Sequence, residues 1–484
     1  MTLDADLCYE ALRSKDARFD GRFFTAVMTT GVYCRPICPA RLPKRENVRF
    51  FACAAAAEEA GFRPCRRCRP ETSPGTPAWL GTSTTVSRAL RLISEGALDD
   101  GGVADLADRL GIGDRHLRRL FLQHLGATPV RVAETRRVHF ARKLIDETNL
   151  PMSDIAFSSG FGSVRRFNEA VKSTFGRCPT EIRGSGWKQE QRGNGNGLSL
   201  RLPFRIPFDW DGLIAFLGPR TIPGVESVSR DGYRRSVTVD GLPGEIEVRP
   251  VAGQPYLRVN LKIPTAKGLA SIVERLRRVF DLGADPLEIN RHLSRDPILA
   301  RRVRTRPGIR VPGAWDRFEL SVRAILGQQI TVAGATTIAG RLVEAFGTRL
   351  SACDGPGITH LFPRPEDLAE ARIETCGVPR QRAESIRILA RKVYDGDIVL
   401  ESGIPAEDLM DRMREIPGVG AWTTEYIAMR AFSEPDAFPS ADLGIRRALG
   451  EKDGVPTAAS VARRAEAWRP WRAYAVMHLW TNSL

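Results

Sequence analysis

The spacing of apolar positions changes several times along this chain, and each change marks a boundary. From about residue 83 to 184 apolar residues recur at helical intervals with little strand signal. From 198 to about 263 the pattern turns to alternation, in SVTVDG, EIEVRPV and YLRVNLKI, which predicts strands. Helical periodicity resumes near 265 and continues to the end. TSPGTPAW (72–79) breaks the pattern with Pro, Gly and Ser, and GSGWKQEQRGNGNG (184–197) reads as a polar, glycine-rich linker. The expected order is therefore a cysteine-bearing unit at 1–75, a helical unit at 80–184, a linker at 185–197, a β-rich subdomain at 198–305 and a helical domain at 306–484.

Length agrees with several domains: 484 residues with 42% hydrophobic content supply three or four, at about 100–200 residues each. No run of about 20 apolar residues occurs, so no membrane span is expected. The N-terminus, MTLDADLCYEAL, has acids and no basic flank, which does not fit a secretory signal. Nine cysteines, four of them clustered, suit a reduced cytoplasmic protein with one metal site better than a disulfide framework. The net charge of +15 points to a polyanion, although a generic basic surface would carry the same charge.

The clustered cysteines are Cys34 and Cys38 in YCRPIC and Cys65 and Cys68 in PCRRC. Both spacings let one turn of chain present two thiolates to a tetrahedral ion, and Zn2+ accepts four thiolates without redox chemistry. By spacing alone, a zinc staple that only holds a fold is the commoner reading. Arg35, Arg41, Arg63, Arg66, Arg67 and Arg69 surround the cluster and would suit a phosphate backbone. Wider context adds to this. DARFDGRFFTAVMTTGVYCRPICPAR, RENVRFF and AGFRPCRRC closely resemble the N-terminal domain of the Ada protein of the bacterial adaptive response, over residues 15–70. The resemblance implies that Cys34, Cys38, Cys65 and Cys68 hold Zn2+. It also implies that Cys34 irreversibly accepts a methyl group from a DNA methylphosphotriester, and that Thr30, Arg41 and Arg63 contact DNA. Where that family has an arginine after the second cysteine, this chain has Pro39.

Two helix-turn-helix patterns follow in series, VADLADRLGIGDRHLRRLFLQHLG (103–126) and MSDIAFSSGFGSVRRFNEAVKSTFGRCP (152–179). In the first, Gly111 makes the turn and the second helix begins near Asp114 as N-cap; in the second, Gly160 makes it and the helix begins near Ser163. Recognition helices place polar and basic side chains in the major groove, so Arg115, His116 and Arg119, then Ser163, Arg165, Arg166 and Asn168, are the candidates. An ordinary helical bundle with surface arginines is the bland alternative. The tandem pattern ending in CPTEIR resembles the AraC class of transcriptional regulators, which implies promoter DNA and RNA polymerase as partners.

In the C-terminal half, MREIPGVGAWTTEYIAMRAF carries a helix–hairpin–helix signal: Pro417, Gly418 and Gly420 make a tight turn whose amides can hold a DNA phosphate. The hairpin's carbonyls offer a site for a monovalent cation. Asp442, in AFPSADLGIRRAL, lies 22 residues beyond Gly420. An aspartate before an apolar helix is more often an N-cap than a catalyst. The spacing nevertheless resembles the helix–hairpin–helix glycosylase superfamily. PFDWDGLIAFLGPR (207–220), GAWDRFELSVRAILGQQIT (313–331), GVPRQRAESI (377–386) and WRPWRAYAVMHLW (468–480) resemble the alkylbase DNA glycosylase AlkA, from about 200 to 482. That resemblance implies a base pocket of Phe216, Trp422, Tyr426 and Trp480, and a catalytic Asp442. Gln329 stands where the wedge into the duplex is leucine in the AlkA pattern, and Thr481 stands where an aromatic follows Trp480. Thr423 and Thr424 occupy the hairpin-helix position where a Schiff-base lyase carries lysine, which favours a monofunctional hydrolase of the DNA-3-methyladenine glycosylase II type. The PCHR motif of O6-alkylguanine methyltransferases is absent.

The expected fold is multidomain α+β: a small zinc-bound α/β domain, an all-α tandem helix-turn-helix domain, a β-rich subdomain and an all-α helix–hairpin–helix domain. The expected function is a methyl-activated transcriptional activator joined to a base-excision enzyme. Its partners would be double-stranded, alkylated and promoter DNA, with no membrane, and the chain is expected to act as a nucleoid-associated monomer with independent halves. The competing reading is a zinc-containing regulator with an inactive glycosylase-like module.

Overall fold

The computed structural model describes residues 3–74, 84–99, 101–184, 197–350, 357–400, 406–450 and 454–481. The linker expected at 185–197 lies, but for Gly197, outside them. Among the described residues no helix is long and apolar enough to cross a membrane. The chain forms two compact units. The first comprises Met1–Ile206, Val251–Arg277 and Leu282–Asp285; the second comprises Pro207–Pro250, Arg278–Asp281 and Pro286–Leu484.

The first unit opens with helix α1 (Ala5–Arg13), capped by the Asp4 carboxylate. A small sheet follows, of β1 (Phe24–Val27), β2 (Val32–Cys34), β3 (Val48–Phe51) and β4 (Arg63–Pro64), in the order β3-β1-β2-β4. Helix α2 (Ala54–Glu59) precedes β4. Phe24, Ala26, Tyr33 and Ala57 make the core between sheet and α2.

Seven helices succeed this sheet: α3 (Thr84–Ser94), α4 (Val103–Arg109), α5 (Asp114–Leu125), α6 (Pro129–Glu147), α7 (Met152–Ser158), α8 (Val164–Phe175) and α9 (Pro179–Gly184). The pairs α4–α5 and α7–α8 are the two helix-turn-helix units. Gly111 and Gly160 make their turns at φ 70° and 83°, and Gly126 and Gly176 end both second helices in the left-handed region, which glycine enters without strain. Leu106, Ala107, Ile155 and Ala156 face inward and are buried. One expectation is corrected. Gly113, not Asp114, is the N-cap of α5, and the Asp114 carboxylate accepts from its neighbour Arg115 instead. Ser163 does cap α8, accepting from the Arg166 N–H.

The sheet and the helices share a core. Cys53, Ala55 and Ala56 around the start of α2 pack with Leu117, Phe121 and Leu125 of α5. In the same unit, strands Leu198–Pro203 and Tyr256–Lys262 pair antiparallel. Helix α6 grips the first of them: Glu147 Oε2 accepts from the Arg201 N–H at 2.9 Å, and Lys143 donates to the Arg201 carbonyl.

The second unit contains an antiparallel meander of Glu226–Ser229, Gly232–Val239 and Leu242–Pro250, followed by helices. The helix Arg317–Leu326 runs through its core, and seven of its ten residues besides Glu319 are buried. Glu319 is buried too, and Arg235 of the meander donates to it at 2.7 Å, fixing strand to helix by a charge-assisted bond. Helices Arg380–Tyr394, Ala406–Arg414 and Ala421–Ala431 pack on the same apolar core.

Candidate functional site

The first unit gathers Cys34, Cys38, Cys65 and Cys68. Strand β2 delivers Cys34 at its end, and the short parallel pairing of β2 with β4 brings Cys65 alongside. The backbone pins both loops: the Cys65 N–H donates to the Tyr33 carbonyl at 2.9 Å, and the Cys38 N–H to the Arg35 carbonyl at 3.1 Å. All four sulfurs lie within 4.8 Å of one another, and all four residues are buried. That is the donor set and the reach of a tetrahedral thiolate site, whose sulfurs sit about 3.8 Å apart at Zn–S distances of about 2.3 Å. Packed this closely, the sulfurs cannot all be thiolates unaided: contact with Cys38, foremost, pushes the Cys34 thiol well above the ordinary range. The residues present therefore fit one Zn2+.

The surrounding arginines divide into two groups. Arg35 is committed inward, to the Asp20 carboxylate, Thr72 Oγ1 and the Cys68 carbonyl. Arg69 pairs with Glu71 at 3.0 Å and with Asp146 of α6. These two hold the loops and are not available as phosphate ligands, contrary to the expectation for the arginine-rich surround. Arg41, Arg63, Arg66 and Arg67 remain exposed, although Arg66 also donates to the Phe175 carbonyl of α8 at 3.1 Å. Thr30 lies in the β1–β2 turn and is exposed; the Arg63 N–H donates to the neighbouring Gly31 carbonyl at 3.0 Å, so both residues share one end of the sheet. Pro39 is exposed beside Cys38. On the helix-turn-helix units, Arg115, His116 and Arg119 of α5 and Arg165, Arg166 and Asn168 of α8 point into solvent. Arg165 pairs with Glu169 at 2.9 Å along α8.

The second unit contains a cleft of about 330 Å³ lined by Trp422, Tyr426, Trp480, Asp442, Arg220 and Arg323 among others. Asp442 is the N-cap of the helix Leu443–Ala448, its Oδ1 accepting from the Ile445 N–H at 2.9 Å. It is also the acceptor for two indoles: Trp480 Nε1 donates to Oδ1 and Trp422 Nε1 to Oδ2, each at 3.0 Å. The capping role and the cleft-facing role coexist, since the carboxylate has enough lone pairs for both. Trp422 and Tyr426, one helical turn apart on Ala421–Ala431, stack at 5.4 Å with planes 10° apart. Burial alone would raise the Tyr426 phenol, but the Arg430, Arg220 and Arg323 guanidiniums outweigh it and hold the phenol below its usual range. Arg430 donates to the Tyr426 hydroxyl at 2.9 Å.

Phe216 takes a different place from the other three aromatics. It is 2% exposed and does not line this cleft; its ring stacks behind Trp480 at 6.1 Å, with the Arg220 guanidinium 3.9 Å from its centroid. It backs the wall instead of forming it.

Gln329 stands exposed at the mouth, with a backbone φ of 55° that non-glycine residues seldom adopt. The segment is held there by Gln328, whose Nε2 donates to the Gly418 carbonyl at 2.8 Å and to Thr423 Oγ1 at 2.9 Å, and by Arg382, which donates to the Gln328 carbonyl at 2.7 Å. The Gln328–Gln329 segment is thus tied to the hairpin. Gly418 has φ 86°, and a Cβ there would meet Ser385 Oγ at 2.9 Å, so both conformation and space call for glycine. Gly420 caps Ala421–Ala431. Thr423 and Thr424 are buried, and no lysine lines the cleft among the described residues. Arg220, Arg323, Gln328 and Arg430 were not singled out from the sequence; Gln328 and Arg220 sit inside the very segments GQQI and LGPR that carry the resemblance.

Four family models match in order: "Metal binding domain of Ada" at residues 7–71, "Helix-turn-helix domain" at 106–185, "AlkA N-terminal domain" at 199–316 and "HhH-GPD superfamily base excision DNA repair protein" at 322–473. The chain is 42% identical over 482 residues to the "Probable bifunctional transcriptional activator/DNA repair enzyme AlkA" of Mycobacterium tuberculosis, covering 99% of this chain and 96% of that protein. It is 34% identical over 282 residues to the "DNA-3-methyladenine glycosylase 2" of Escherichia coli, covering 58% of this chain and 95% of that one. Among solved structures, a 3-methyladenine DNA-glycosylase from Archaeoglobus fulgidus superposes with a TM-score of 0.52 at 22% identity, covering 58% of this chain and 98% of that one, a likeness of fold.

Proposed function

The chain belongs to the family of bifunctional transcriptional activator/DNA repair enzymes, and from that premise we propose two linked activities for it. In the first unit Cys34 accepts a methyl group from a methylphosphotriester in DNA and turns the protein into a transcriptional activator working with RNA polymerase. In the second unit Asp442 serves a hydrolytic glycosylase that removes alkylated bases such as 3-methyladenine.

For the methyl transfer, Cys34, Cys38, Cys65 and Cys68 would hold Zn2+, which keeps thiolates deprotonated at neutral pH while leaving them electron-rich. The Cys34 sulfur attacks the methyl carbon, the carbon–oxygen bond breaks, and the electron pair stays on the phosphate oxygen as a restored diester. The sulfur becomes a neutral thioether, so the cluster loses one negative charge and repels DNA less. The step is irreversible because a neutral thioether is a poor methyl donor and the restored phosphodiester a weak nucleophile.

For base removal, a flipped nucleotide would enter the aromatic cleft, where Trp422 and Tyr426 offer faces to an electron-poor alkylated ring. As the glycosidic bond breaks, its electrons leave with the base and positive charge grows on the sugar. In this reading Asp442 stabilises that charge and takes the proton of the attacking water. Threonines at 423 and 424, in the hairpin-helix position where a lyase carries lysine, favour water over an amine as nucleophile.

The observation that carries this reading is the Asp442 carboxylate facing the aromatic cleft while fixed by two indole donors. It weighs against an inactive module, because helix capping accounts for the Ile445 N–H on Oδ1 but not for the two indole donors that fix the carboxylate in the cleft wall. The test uses zinc-loaded full-length protein and methylated duplex DNA. Release of free alkylated base, and one added methyl on Cys34 by mass spectrometry, are expected. No base release defeats the glycosylase half, and an unmodified Cys34 defeats the other.

A further inference from the structure

Helix α6 does more than separate the two helix-turn-helix units. Its 19 residues meet the cysteine loops at two places. At the first, the buried Tyr33 hydroxyl donates to Glu58 Oε1 at 2.8 Å and lies 3.2 Å from His139 Nε2. The other oxygen of Glu58 accepts from Thr135 Oγ1 at 2.7 Å, and His139 Nε2 lies 3.1 Å from Oε1. Thr135 and His139 stand one turn apart on α6. One carboxylate on α2 thus collects a group from β2 and two from α6. At the second place Arg69, the residue after Cys68, pairs with Asp146 of α6, which Arg142 also holds at 2.9 Å.

Tyr33 is the chain neighbour of Cys34, and its carbonyl accepts from the Cys65 N–H. It is therefore bonded to both ligand loops and, through its hydroxyl, to α6. Cys34 is only 7% exposed. A methyl group added to its sulfur enters a packed space, and neighbours must give way to hold it. Two segments joined to the ligand loops, the Tyr33 strand and the Arg69 turn, both end on α6, while Arg66 of the second loop reaches the Phe175 carbonyl of α8 at 3.1 Å. Helix α6 packs in turn against the elements that carry the recognition helices α5 and α8.

We infer that Tyr33, Glu58 and His139 form a coupling element, through which the methylation state of Cys34 reaches the recognition helices by way of α6, in addition to the change in charge. The inference rests on the methyl-acceptor reading above. Glu58 acts in it as a positioning residue, not as a catalytic one.

The test compares wild type with Tyr33→Phe, which removes one hydroxyl, using zinc-loaded full-length protein. Three quantities are read: methyl gained at Cys34, the affinity for an undamaged duplex before and after methylation, and amide exchange along α6. Tyr33→Phe should accept methyl as fully as wild type, while its methylation-induced gain in affinity shrinks by about threefold or more. Wild type should show altered α6 exchange after methylation and the variant much less. If both proteins gain affinity by the same factor, the cluster only docks the parts together and the coupling is overturned, with the acceptor reading intact. If wild type takes up no methyl, the acceptor reading falls and the coupling with it. Should Tyr33→Phe fail to fold, Thr135→Val at the α6 end gives the same comparison.

Discussion

Trp480 donates its indole N–H to the same Asp442 oxygen that caps the following helix, at 3.0 Å, while Trp422 takes the other oxygen. The geometry separates two roles of one side chain. An asparagine can still cap the helix, but it carries no charge. Asp442→Asn should therefore keep the melting temperature of the protein within a few degrees and lower base release by about 100-fold or more, the scale of a lost acid–base or charge-stabilising group. Asp442→Ala should lose the cap as well, about 1 kcal/mol of stability. Single-turnover release of free base and thermal melting of both variants distinguish the two losses; equal release by Asp442→Asn and wild type would remove Asp442 from the mechanism.

The indoles give a second handle. Trp480→Phe keeps an aromatic wall against Phe216 but removes one donor to a carboxylate, a bond worth about 1.5–3 kcal/mol. Asp442 then loses part of its orientation. The rate of base release should fall by roughly 10-fold or more while DNA binding hardly changes. A weaker binding constant with an unchanged rate would place Trp480 in recognition alone.

Much of this was legible in the sequence. The cysteine spacings, the glycines at the helix-turn-helix turns and the Pro417, Gly418 and Gly420 hairpin each impose a local geometry, and local geometry is what a short motif encodes. Asp442 was legible as an N-cap, which it is, and by resemblance as a catalytic aspartate, for which the structure supplies a carboxylate in the cleft lining. The rest depends on long-range packing. Nothing about Phe216 in sequence says whether it lines a cleft or backs Trp480, because that is settled by where Arg220 and Arg430 fall. Arg35 and Arg69 read as phosphate ligands until Asp20 and Asp146, distant in sequence, are seen to claim them. The Tyr33–Glu58–His139 cluster joins residues up to 106 positions apart, with no motif to announce it.

The backbone of Gln329 makes a prediction about the wedge. Its left-handed conformation costs about 1 kcal/mol that glycine does not incur. Gln329→Gly should melt slightly higher than wild type. It should also excise bases from fully paired duplex several-fold more slowly, since no side chain fills the gap left by the flipped nucleotide. Excision from mismatched or single-stranded substrate, where flipping is cheaper, should suffer less. Equal slowing on all substrates would mean that Gln329 is not the wedge.

The two units should fail separately. Cys34→Ser removes one of four sulfurs and the acceptor together. Methyl uptake should vanish and metal content, read by elemental analysis, should fall below one zinc per chain, while base release is retained. A strong chelator should melt the cysteine unit, because binding energy for such a metal is folding energy. Base excision that collapses with Cys34→Ser would show that the second unit depends on the first.

Two groups of the second unit, His478 and Asp281, give opposite pH dependences. Burial, assisted by Arg302, holds the His478 imidazole down at about 4. As pH falls from the ordinary histidine value near 6.5 towards 4, the unfolded chain takes up a proton that the folded one refuses, so stability is lost, up to about 3 kcal/mol. Burial pushes the Asp281 carboxyl up to about 6, although it accepts from Tyr474 and the Val311 N–H. Here the folded chain takes up the proton first, so stability is gained as pH falls from about 6 towards 3.8. In wild type the two contributions oppose each other between pH 6 and 4. Asp281→Asn should expose the histidine, making the melting temperature fall more steeply than wild type on acidification through that window. His478→Gln should do the reverse and flatten or invert the slope. Melting both variants beside wild type from pH 7 to 4 checks the signs; parallel curves for all three would mean that neither group titrates away from its ordinary value.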